Sequence, residues 1–199
     1  MAKIRSIIHK QDWGSELMDG ISGAHPILAI FFLLALASFF AAPAAADVRY
    51  VNASAGAGGD GLSWGTAYQH LQVAIANSQP GSGVTEIWVA RGTYMPDGGR
   101  IPFGGSHTPG NLSQSATFNL INGVAIYGGF PNTGNPALID RNPTDNPTIL
   151  SGDLKSDDLP GFNNYVDNSH HIVTLIGTMP PTTLDGFRVY HADARSSAD

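Results

Sequence analysis

The sequence predicts an all-β chain of short, turn-separated strands with one helix near its start. Three observations carry that prediction. Charged residues make up only 13% of the chain, about half the usual ~25%, while glycine (24) and proline (13) are both plentiful. The apolar runs are short and bounded by turn formers, as strands require. They also recur: Ile149 lies 23 residues after Ile126, and Val173 lies 24 after Ile149. A fixed period in the range of about 20–50 residues marks a solenoid, in which each repeat buries its apolar face only against its neighbours. A sandwich or barrel is the competing architecture. It would bring hairpin turns every ~8–12 residues, and Asn122-Gly123 is the one Asn-Gly signal of that kind.

The first 46 residues stand apart from that pattern. From Pro26 to Ala42 the chain carries no charge, and Pro43 and Ala44-Ala45-Ala46 follow. Small residues before a cleavage point are what signal peptidase accepts. Residues 1–46 therefore read as a secretory signal with an extended n-region, cut after Ala46. An uncleaved anchor is the alternative, since the apolar run reaches the short limit of a bilayer span. In the n-region Lys3, Arg5 and Lys10 face Asp12, Glu16 and Asp19, and translation starts at Met1 or Met18. The expected location is secreted or on the outer surface, with membrane contact only through this segment.

Those six charges cancel, so residues 47–199 keep the whole net charge of −6. That balance argues against nucleic acid, whose phosphates attract basic surfaces. The acids are Asp, with Glu86 the single Glu after residue 46. Asp suits tight turns and also Ca²⁺. The chain has no cysteine, which excludes disulfides, thiolate metal sites and a cysteine nucleophile. An exported chain of this kind relies on its core, on bound ions or on assembly.

In order, a strand is expected at 48–52, then a small-residue loop to Gly61. Thr66 and Gln69 have capping-box spacing, predicting a helix over 66–77. Leu71, Ala74 and Ile75 share its apolar face, and Gln79-Pro80-Gly81 ends it. Strands follow at 86–90, 116–120 and 124–127, around an insertion at 96–114. Gly128-Gly129 is read as a break. Later strands fall at 148–150, 171–176 and 184–189.

Certain pieces occur in a telling order. They are Tyr50-Val-Asn52, Gly59-Asp-Gly-Leu-Ser-Trp-Gly65, Ile87-Trp-Val-Ala-Arg-Gly-Thr-Tyr94, Val124-Ala-Ile-Tyr-Gly-Gly-Phe130, Ile149-Leu-Ser-Gly-Asp153 and Leu184-Asp-Gly-Phe187. Together they resemble the opening of bacterial secreted or surface proteins with a right-handed parallel β-helix, the pectin-lyase-like fold. The resemblance implies that the early helix caps the open end of the stack. It leaves activity open, because the scaffold serves lyases, hydrolases and adhesins. Such proteins continue for many coils beyond the Leu-Asp-Gly-Phe motif. Residues 47–199 are therefore expected to hold the cap and first coils, an incomplete domain or one half of an assembly.

For chemistry, Asp153, Asp157 and Asp158 cluster with Asn163, Asn164 and Asp167 nearby. Such carboxylates can bind calcium or act as general acid and base. A lyase would add Lys155 or Arg188 as base. The competing reading is a solvated loop of turn formers. Asp157-Asp158 resembles the paired aspartates of β-helix polysaccharide hydrolases, whose Gly-His-Gly is missing here. His170-His171 is expected to be structural or exposed, since neighbours on a strand face opposite ways. Gly58–Gly61 reads as a turn, lacking a P-loop lysine. Trp64 and Tyr94 adjoin loops and are the expected ligand-binding aromatics, while Trp88 is expected in the core. The expected function is binding or structural, toward polysaccharide or a cell surface. A polysaccharide lyase or glycoside hydrolase is the alternative.

Overall fold

The computed structural model describes residues 46–175, 177 and 181–193. The secretory signal expected over residues 1–46 lies outside these, apart from Ala46. Among the described residues ten strands dominate: β1 (Val48–Val51), β2 (Glu86–Ala90), β3 (Gly92–Tyr94), β4 (Arg100–Pro102), β5 (Phe118–Leu120), β6 (Ala125–Phe130), β7 (Thr148–Ser151), β8 (Val173–Leu175), β9 (Thr183–Asp185) and β10 (Phe187–Tyr190). They form three sheets, ordered β1-β2-β6-β9, β10-β7-β3-β4 and β5-β8. Every pairing between these strands is parallel except β3 with β4. From β2 onward the chain visits the first, second and third sheets in turn, does so again with β6, β7 and β8, then returns through β9 and β10.

The register corrects the expected period. Ile126, Ile149 and Val173 lie in three different sheets, so the spacings of 23 and 24 do not join stacked positions. True neighbours are further apart: Ile87 pairs with Ile126 and Ile149 with Arg188, each 39 residues on. Thr93 pairs with Ile149 after 56, and Ile126 with Leu184 after 58. Strand pairing sets the stack and leaves loop length free, so no single period survives.

Glycines also set the strand ends differently from expectation. Gly128-Gly129 does not end its strand; β6 runs through to Phe130. The register slips there, with Trp88 opposite Tyr127 but Ala90 opposite Phe130, the signature of a one-residue bulge. Gly129 sits at φ +92, where a Cβ would meet Pro143, and a Cβ on Gly128 would lie 2.7 Å from Gly186 O. The strand expected over 184–189 is instead two, turning from the first sheet to the second at Gly186, φ +81. Glycine alone tolerates both corners. Asn122-Gly123 is a tight turn, but it joins β5 and β6 of different sheets and makes no hairpin.

The helix is shorter than expected. Helix α1 covers Leu71–Ala76, after a separate 3₁₀ turn at Trp64–Thr66. Between them the backbone is extended, because it covers the free edge of β1. Tyr68 N–H donates to Tyr50 O, and Tyr68 O accepts from Asn52 N–H. Gln69 makes no capping box; its Nε2 donates to Ala55 O at 2.5 Å. Ser63 Oγ instead accepts from Thr66 N–H. The predicted face holds: Leu71, Ala74 and Ile75 are buried, and α1 packs against β1, β2 and β5.

One core lies between the sheets and α1, built on Ile87, Ile126, Leu150, Phe118 and Tyr94. The insertion after β3 contains β4, which folds back antiparallel on β3. Tyr94 carries the one hydroxyl among these large core residues. It donates to Ala90 O at 3.0 Å and accepts from Ala53 N–H at 3.1 Å. Tyr94→Phe should therefore lower unfolding free energy by roughly 1–3 kcal/mol, since it strands two buried backbone groups. Urea denaturation measures this, and a neutral variant would mean the two bonds are not holding the corner.

Candidate functional site

Period-two alternation decides which side chains leave the core. On β2, Ile87 and Val89 are buried, so Glu86 and Trp88 face outward. Register then aligns Tyr50, Trp88, Tyr127 and Asp185 in one row across the first sheet. The Trp88 ring stacks on Phe130 at 4.9 Å and 14° and meets the edge of Tyr50 at 5.6 Å. Its Nε1 donates to Glu86 Oε2 at 2.6 Å.

The 3₁₀ turn lays Trp64 over this row. Its ring packs 4.9 Å from Tyr50 and 5.4 Å from Phe130, and its Nε1 donates to Pro136 O at 2.9 Å. Between the two loops a cleft of about 350 Å³ opens, bordered by Tyr50, Leu62, Trp64, Trp88, Asn135 and Pro136. At the far end Arg141 covers the Tyr127 ring at 4.8 Å and pairs with the Asp185 carboxylate. The cavity beside α1 has Phe118 as its one aromatic, and the one at the 78–85 loop has none.

The expected aromatic pair is thus reassigned. Tyr94 is 1% exposed, so its ring has no free face for a ligand. Trp64 is 9% exposed and presents only part of itself to the cleft. Trp88, expected in the core, is the half-buried aromatic on the outer face. The flanking Ile87 and Val89 already carried that signal, because alternation forces the residue between two inward side chains to point out.

The aspartates lie in the 152–172 loop between β7 and β8. Asp153 is buried and accepts the backbone N–H groups of Asp157 and Asp158, each at 3.2 Å. Carboxylate oxygens of Asp153, Asp157 and Asp167 come within 4.8 Å of one another. Lys155 Nζ stands 3.5 Å from Asp167. Asp158 turns the other way: its side chain is 3% exposed and bonded by His191 Nδ1 at 2.7 Å and Asn168 Nδ2 at 2.8 Å. Burial, helped by the charge on Asp153, pushes the Asp158 carboxyl above the usual carboxylate range, and the bonds from Asn168 and His191 pull against it.

Arg188 does not join this group. It lies exposed on β10, beside Ile149, and makes no ion pair among the described residues. The sequence had suggested Asp167 only as a neighbour and missed Asn168 and His191, which reach Asp158 from 10 and 33 positions on. Of the histidine pair, His170 faces the Asp193 carbonyl and His171 is exposed. The arrangement is an oxygen-rich donor set plus a carboxylate–imidazole pair.

Comparison with protein-family models, with curated proteins and with solved structures returned no match for this chain.

The cleft depends on Phe130 beneath both indoles. Phe130→Ala should cost roughly 3–5 kcal/mol and shift tryptophan emission to the red. Unchanged emission would count against this packing.

Proposed function

We propose that this chain is an exported surface protein that binds carbohydrate through the aromatic cleft of the first sheet. Its fold on this reading is the capped opening of a right-handed parallel β-helix. Support for the fold comes from the order in which the chain visits three parallel sheets, since parallel crossovers are almost always right-handed. The edge of β1, covered by the 61–68 segment and α1, fits a capped first coil. Support for export is the uncharged run and the Ala44-Ala45-Ala46 tail.

The observation that carries the binding reading is the row Tyr50–Trp88–Tyr127, of which Tyr50 and Trp88 border the cleft together with Trp64. At about 350 Å³ the space falls within the ~300–1,000 Å³ of small-ligand sites. Aromatic walls offer flat apolar faces to the C–H faces of a sugar, and Ser63 and Asn135 supply polar groups along the cleft. A glycoside hydrolase needs a carboxylate pair free to face a substrate. Asp153 is tied to backbone N–H groups, and Asp158 to Asn168 and His191, so binding is the better account.

A panel of neutral and acidic polysaccharides, assayed by affinity electrophoresis, tests this. One or more should retard the protein, and Trp88→Ala should weaken retention at least ~10-fold, or about 1.4 kcal/mol, while Arg188→Ala leaves it unchanged. Turnover abolished by Asp158→Asn would replace binding with catalysis. No retention by any glycan would leave a purely structural role. Expressed in a secreting bacterium, the mature protein should begin at Asp47 on N-terminal sequencing.

A further inference from the structure

We propose that Asn111, on the insertion after β3, is a glycan acceptor that takes an N-linked sugar from a glycosyl pyrophosphate donor. The site lies outside the border of the aromatic cleft and stands whether or not the cleft binds sugar.

Four asparagines have serine or threonine two positions on: Asn52, Asn111, Asn142 and Asn146. That spacing is the acceptor signal for N-glycosylation, provided the middle residue is not proline. Pro143 and Pro147 remove the last two. The structure then separates the remaining pair. Asn52 is 8% exposed, and Ala53 beside it belongs to the core. Its Nδ2, the atom that would take the sugar, donates to Asn132 O at 3.0 Å. A transferase would have to lift the end of β1 from the core to reach it. Asn111 and Leu112 are both exposed, and among the described residues the Asn111 Nδ2 makes no hydrogen bond.

Buried Asp97 presents this segment. Its carboxylate accepts Gly99 N–H at 2.8 Å and Leu112 N–H at 2.9 Å, and its carbonyl accepts Asn111 N–H at 3.2 Å. The backbone of the acceptor segment is thus tied down while its side chains stay outside. Leu112 is held at φ +58, a left-handed conformation that non-glycine residues rarely adopt. Around it Asn111 Oδ1 accepts Ser113 N–H at 3.0 Å, which closes an Asx turn. The amide oxygen is therefore engaged, and Nδ2 is the open end of the side chain. In the transfer Nδ2 attacks the anomeric carbon of the donor sugar. The C–N bond forms as the C–O bond to pyrophosphate breaks. The pyrophosphate leaves with the electron pair, and the amide proton passes to a base of the transferase. Lipid-linked and nucleotide-linked sugars share this chemistry. A glycan so placed is bulky and solubilising at the surface.

Folded full-length protein, made without glycan, tests the idea in two arms. One supplies a membrane transferase with a lipid-linked oligosaccharide, the other a soluble transferase with a nucleotide sugar, each enzyme reading the three-residue signal alone. Peptide mass spectrometry should find sugar on Asn111 in at least one arm, which identifies the donor, and none on Asn52. Asn111→Gln and Ser113→Ala should each abolish the modification. Both residues lie outside the core, so both variants should melt as the parent does. No sugar in either arm overturns the proposal. So does sugar on Asn52 of the folded protein, or sugar retained by Ser113→Ala.

Discussion

The structure depends on parallel pairing between strands far apart in the chain. Ile87 lies opposite Ile126 and Ile126 opposite Leu184. Each strand is only three to six residues long and buries little by itself. Its inner residues become core only when the next strand covers them. The gradient along the second sheet shows the effect: Leu150, flanked by Tyr94 and Val189, is 0% exposed, whereas Val189 on the outermost strand is 48% exposed. Each strand is thus buried by the neighbour it pairs with, not by its own length.

The same register builds the outer surface. A stack that aligns inward aliphatics must also align the residues between them, because strand side chains alternate. Tyr50, Trp88 and Tyr127 therefore form a row as a consequence of packing Val51, Ile87, Val89 and Ile126. The loops then finish it. Trp64 arrives from the turn before α1, and Phe130 from the bulged end of β6. Their rings make a second apolar cluster outside the sheet, and the proposed sugar cleft is what it leaves open.

The loop between β7 and β8 answers a different constraint. A chain without cysteine that crosses from one sheet to another through some twenty irregular residues needs something to hold them. Asp153 begins this by accepting two backbone N–H groups, and Asn168 and His191 continue it around Asp158. The cleft is bordered by the β1–β2 and β6–β7 connections, the aspartate loop by β7 and β8.

Local chemistry was legible in the sequence. Short strands bounded by glycine, the apolar face Leu71-Ala74-Ile75, the bounds of β2 and the gathering of aspartates all follow from residue type and near spacing. These depend on neighbours within a few positions, and the chain states them directly. Partner choice was not legible. Spacing suggested that Ile149 stacks on Ile126, while hydrogen bonding placed it beside Thr93 and Arg188. Thr66 and Gln69 looked like a cap, but the edge of β1 claimed the backbone between them. Trp64 and Tyr94 looked exposed beside their loops, until distant segments closed over them. In each case the deciding contact spans tens of residues, and loops of free length erase any trace of it from sequence spacing. The sequence by itself determined which residues want burial, turns or charge; only the tertiary structure decided which of them meet.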